Sequence, residues 1–90
     1  MAHREFKEFS NEGDIFRTNM KKIRKALRLT QADLENYTGI HKSRICEYEK
    51  GISTPRLDEI VNICSVMGIK VKDMFDENLE LSIKFEVNVK

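Results

Sequence analysis

A chain of 90 residues with 40% hydrophobic and 34% charged residues, four glycines and one proline has the size of one domain and a globular composition, which excludes disordered and collagen-like classes. The formal net charge of +1 marks no particular partner, and no apolar run approaches the roughly 20 residues that span a bilayer. Two cysteines without a C-x-x-C pair make neither a disulfide framework nor a cysteine zinc site; Cys46 and Cys64 read as reduced thiols of a cytoplasmic protein, and the charged stretch Met1–Ser10 does not read as a secretory leader.

Residues 1–13 are polar apart from Phe6 and Phe9 and read as an N-terminal arm; a strand or an extra helical turn fits them as well. From Asp14 the pattern becomes helical: Phe16, Met20, Ile23 and Leu27 share one face, and Arg17, Lys21, Lys25 and Arg28 the other. A second helix is predicted from Thr30, where Thr30-Gln31-Ala32-Asp33 has the form of a capping box, to about Thr38, with Gly39 as its stop. A third covers about Lys42–Lys50, with Ile45, Tyr48 and Glu49 inward. A fourth covers about Arg56–Met67, with Leu57, Ile60, Val61 and Cys64 as its core stripe. Ile63 and Val66 lie beside that stripe and are read as dimer contacts. A short fifth helix is expected at Val71–Asp76.

The last residues change period. Leu81, Ile83, Phe85, Val87 and Val89 alternate with polar residues, the signature of a strand. One strand needs a partner for its backbone. A two-fold antiparallel pair centred on Phe85 would set Ile83 against Val87 and Lys84 against Glu86, which favours a homodimer; pairing with the N-terminal arm and a disordered tail are the alternatives. The charge is also uneven. Residues 1–50 hold 11 Lys and Arg against 8 Asp and Glu, residues 51–90 hold 5 against 7, and Arg17–Arg28 holds six basic residues and no acidic one.

Two short helices around Gly39-Ile40-His41 have the layout of a helix-turn-helix. With Ile23 to Gln31, Leu34, Gly39-Ile40, Ser43, Ile45, Glu49-Lys50-Gly51, Pro55, Leu57, Ile60, Cys64, Met67-Gly68-Ile69 and Met74-Phe75, the chain resembles the lambda-repressor/Cro-like (XRE-type) helix-turn-helix family over residues 14–76. The resemblance implies an all-α, five-helix domain, here with a C-terminal β-strand extension over residues 77–90. It implies double-stranded DNA as partner and a sequence-specific transcriptional regulator, a repressor, working as a homodimer on palindromic operators. An antitoxin or protein–protein adaptor on the same fold, with an unidentified protein partner, is the alternative reading. No enzyme activity, cofactor, metal or membrane partner is expected.

The resemblance places DNA contacts at Gln31, His41, Lys42, Ser43, Arg44, Cys46, Glu47, Lys50 and Ser53. Gln31 sits at a helix N-terminus, where free N–H groups attract phosphate. Lys donates to guanine and Glu accepts from cytosine N4. A solvated helix face is the plainer alternative for the third helix, and for Cys46 a redox-sensing thiol is a further one. Arg24 and Glu49 are implied to form an ion pair that positions the third helix. Glu35 stands where the family usually has a small residue and needs a base or an outward bend. His41 stands at a usual Ser cap, a weaker choice.

Overall fold

The computed structural model describes residues 2–79, with side chains from Glu12 onward. Five helices follow one another: α1 Ala2–Ala26, α2 Gln31–Thr38, α3 Lys42–Lys50, α4 Leu57–Met67 and α5 Val71–Met74. Of the readings open for residues 1–13, arm, strand or extra helical turn, the helical one agrees with the structure from Ala2 on, where the segment is continuous with α1. The stretch contains no proline, and its Lys, Arg and Glu residues are good helix formers. Gly13 weakens such a helix by about 1 kcal/mol without ending it. The expected strand lies, from residue 80 on, outside the described residues, and Ile83, Phe85 and Val87 with it.

Phe16, Met20, Ile23, Leu34, Ile45, Tyr48, Ile63, Cys64 and Met74 bury one common core. α2 begins as a reciprocal box: the Asp33 N–H donates to Thr30 Oγ1 and the Thr30 N–H donates to Asp33 Oδ2, each at 2.9 Å. It ends at Gly39, whose φ of 79° closes the helix and lets its N–H reach the Glu35 carbonyl at 2.7 Å. That left-handed residue turns the chain sharply into α3.

α5 is one turn long and cannot hold itself together. Asn19, buried on α1, does so. Its Nδ2 donates to the Met74 and Asp76 carbonyls, both at 2.8 Å. The Phe16 and Phe75 rings stack 5.3 Å apart beside it.

α4 is rotated from its expected orientation. Ile63, Cys64 and Met67 are its buried apolar residues, whereas Leu57 is 73% and Val61 49% exposed. Ile63, read as a dimer contact, has no exposed surface at all, so that assignment is corrected to a core position. Val66 is half-buried against the core. The cause is polar: Glu59 is buried on the same side of α4 as Ile63, and its bonds to α3 fix which side faces inward.

Candidate nucleic-acid interface

α3 presents one face to the core and one to solvent. Ile45, Tyr48 and Glu49 are buried; Lys42, Ser43, Glu47 and Lys50 are exposed, and Cys46 is half-buried. Two carboxylates hold the inner face. At the C-terminal end, Arg24 of α1 donates from Nε to Glu49 Oε2 at 2.7 Å and from Nη2 to Oε1 at 3.1 Å. Its Nη1 also donates to the Leu29 carbonyl at 2.7 Å. The bidentate geometry fixes the angle between α1 and α3 as well as their distance.

Gln31 joins this pair. Its Nε2 donates to Glu49 Oε1 at 3.1 Å, so the side chain expected at phosphate is turned inward in the free protein. A carboxylate with a lone pair free at the edge of α2 is a stronger acceptor for that amide than solvent, which accounts for the difference.

The second carboxylate is Glu59 of α4. Its Oε1 accepts from the Tyr48 hydroxyl at 2.7 Å and from the Arg56 N–H at 3.0 Å; its Oε2 lies 3.0 Å from Arg44 Nη2. Burial opposes the charge on Glu59, but the Arg56 N–H, the Tyr48 hydroxyl and Arg44 outweigh it and hold the carboxyl below the ordinary glutamate range. Burial and the neighbouring carboxylate push the Tyr48 phenol up. Arg44 was expected to face DNA; the structure instead joins it to α4 through Glu59 and to Tyr48, with its Nη2 donating to the Tyr48 hydroxyl at 2.7 Å.

The turn side of α3 is organised by its own sequence. The Ser43 N–H donates to His41 Nδ1 at 3.1 Å, so His41 caps the helix with a ring nitrogen where a hydroxyl was expected to serve better. Glu35 resolves its awkward position by accepting from the Lys42 N–H at 3.3 Å, adding a carboxylate to the positive end of α3. Ser53, expected at DNA, donates from Oγ to Glu47 Oε1 at 3.2 Å and so steadies an exposed carboxylate on the reading face. Gly51 takes a φ of 77°, the left-handed conformation that side chains rarely adopt and that lets the chain leave α3 at this point.

Beside Lys42 lies a shallow, open depression lined by Leu29, Thr30 and Ala32 and flanked by the cations Arg24, Lys25, Arg28 and Lys42. Among the described residues Lys25, Arg28 and Lys42 form no ion pair. Arg28 takes a φ of 61°, a left-handed conformation uncommon for a side chain of its size, and the following N–H of Leu29 returns to the Arg24 carbonyl at 3.0 Å. Lys25 and Arg28, which line this surface beside Lys42, are not among the contacts expected from the sequence. The signal was present: six basic residues from Arg17 to Arg28 with no acidic one.

A short helix held by two carboxylates, with an open polar face and a basic surface at its start, is what a major-groove reader requires. The helix-turn-helix family model matches residues 20–74, more than half of the chain. The chain belongs to the lambda-repressor-like (XRE-type) helix-turn-helix family. Membership identifies a DNA-binding regulatory domain, and the match spans all of α2 to α5 together with the C-terminal part of α1. A search of curated proteins finds no match.

No group of three or more His, Cys, Asp or Glu among the described residues is placed to hold a metal ion. No described helix is long and apolar enough to cross a membrane. Cys64 is buried, and burial pushes its thiol up; Cys46 is free and half-buried on α3.

Proposed function

We propose that the protein is a sequence-specific transcriptional repressor that works in the cytoplasm as a homodimer on palindromic operators, with α3 as the recognition helix. The observation that carries the reading is the division of α3. Arg24–Glu49 and Glu59 occupy its inner face, leaving Lys42, Ser43, Cys46 and Glu47 toward base edges. Lys25, Arg28 and Lys50 supply positive charge for phosphates on either side. The N–H groups at the start of α2 add to that site, while Gln31 acts chiefly by steadying Glu49.

With Ile63 in the core, the exposed apolar pair Leu57 and Val61, one turn apart on α4, takes its place as the proposed subunit contact on the described surface. The period-two segment from Leu81 to Val89 remains proposed as the two-fold ribbon on its sequence pattern. That apolar pair, together with exposed Tyr37 and Ile52, also supports the second reading, an antitoxin or adaptor whose surface holds another protein.

Selection from a random-sequence duplex library tests the reading. The wild-type chain is expected to enrich a sequence with two-fold symmetry. Lys42→Ala is expected to lose about 1–3 kcal/mol of discrimination at one base-pair position per half-site, with the remaining positions kept. Enrichment of no sequence would overturn the repressor reading in favour of the adaptor, and an unaltered preference in Lys42→Ala would remove that residue from the reading face.

A further inference from the structure

We propose that Arg44 is a positioning residue, not a DNA contact: with Tyr48 and Glu59 it forms a clasp that locks α3 onto α4 and so sets how sharply the domain discriminates sequence. The proposal rests on the reading of α3 as the recognition helix and adds to it a second brace. Arg24–Glu49 joins α3 to α1 near its C-terminal end, and the clasp joins it to α4 through Arg44 of the first turn and Tyr48 of the last. Together they hold α3 from two flanks, so that neither tilt nor rotation about its axis is free.

Position alone would assign Arg44 to DNA. It is a cation on the recognition helix, and about half of its side chain is exposed. The partners argue otherwise. Glu59 is only 6% exposed, and Arg44 is its ion-pair partner among the described residues, at 3.0 Å from Oε2, with the Arg56 charge acting from farther off. The same Nη2 reaches the Tyr48 hydroxyl at 2.7 Å, and the guanidinium carbon lies 5.7 Å from the centre of the Tyr48 ring. Withdrawing the guanidinium to a phosphate would leave Glu59 buried with only the Tyr48 hydroxyl and the Arg56 N–H as hydrogen-bond donors from other residues, a poorer setting for its charge than the one Arg44 completes.

Glu59 gives the clasp reach. It is the third residue of α4 and accepts the Arg56 N–H, so one carboxylate both caps α4 and anchors α3. A disturbance at Arg44 is therefore carried to the start of α4, and one at Glu59 to the first and last turns of α3. Arg44→Ala and Glu59→Gln break the same unit, and their effects are expected to coincide rather than add.

The test compares wild type, Arg44→Ala, Glu59→Gln and the double variant on two probes: the duplex enriched by wild type and a scrambled duplex of equal length and composition. The ratio of the two affinities is expected to fall about tenfold in each single variant, the size of one disturbed base pair, and no further in the double. The slope of log K against log salt is expected to stay at the wild-type value in all four, because no phosphate contact is lost. Tyr48→Phe removes one hydroxyl from the same carboxylate and is expected to lower the ratio in the same direction if Arg44→Ala does not fold. A slope shallower by about 2 in Arg44→Ala, about 1 for each subunit of the dimer, would show a direct phosphate contact and overturn the proposal. So would a Glu59→Gln protein with an undiminished ratio, since Arg44 would then act without its partner. Failure of the underlying reading is distinguishable, because wild type would then enrich no duplex before any variant is compared.

Discussion

Replacing Arg24 with alanine is expected to lower folding stability by about 3–5 kcal/mol, a large part of the roughly 5–15 kcal/mol available to a small domain. The Arg24 side chain is 11% and that of Glu49 3% exposed, so solvent cannot screen the pair. After the substitution Glu49 keeps one side-chain partner, the Gln31 amide at 3.1 Å, and remains a buried charge. Glu49→Ala is expected to cost a similar amount, since Arg24 then keeps only the Leu29 carbonyl as a side-chain hydrogen-bond partner. Replacing both, as Arg24→Met with Glu49→Leu, is expected to recover most of the loss, because two apolar side chains carry no desolvation cost. Urea unfolding followed by circular dichroism measures all three. A midpoint for Arg24→Ala within about 0.5 kcal/mol of wild type would mean that the pair behaves as an exposed one.

Ile63→Ala is expected to cost about 2–5 kcal/mol, by lost transfer free energy and by the cavity left between α4 and the rest of the core. The loss should be the same at every protein concentration and should leave the mass in solution unaltered. Leu57→Ala, at a side chain 73% exposed, is expected to change the stability of the folded subunit by no more than about 0.5 kcal/mol. Unfolding curves combined with sedimentation measure both. If Ile63→Ala instead dissociated an otherwise stable subunit, its place in the core would be wrong.

The contrast between these residues shows what the sequence could and could not specify. α2 and α3 were legible to the residue, because each is bounded by groups with narrow conformational meaning. Thr30 and Asp33 close the box at one end of α2, and Gly39 and Gly51 take left-handed φ at the helix ends. The Arg24–Glu49 pair followed from a family resemblance whose geometry the structure reproduces. α4 was harder. Apolar residues at Leu57, Ile60, Val61, Ile63, Cys64, Val66 and Met67 surround most of the helix, so periodicity alone does not say which side is buried. Glu59 decides it, and a buried carboxylate is read from sequence only when its partners are known. They lie on another helix.

The same limit governs the site. Arg44, Gln31 and Ser53 carry groups that suit DNA, and sequence position placed them there. Each finds a partner within the protein: Glu59, Glu49 and Glu47. Lys25 and Arg28 stood in plain view as part of a basic run, but their relation to Lys42 depends on how α1 ends and α2 begins. Glu35 was recognised as a departure, and its resolution required the α3 N-terminus to be in place.

The central claim is that α3 and the basic surface beside it face a nucleic-acid backbone. Its most direct measurement is the affinity of the full chain for the enriched duplex over a range of monovalent salt. Log K is expected to fall linearly with log salt, with a slope near −0.9 for each phosphate neutralised and therefore of about −5 for the homodimer if Lys25, Arg28 and Lys50 of each subunit contact one. A slope near zero would contradict it, because binding would then proceed without the phosphates to which that surface is assigned.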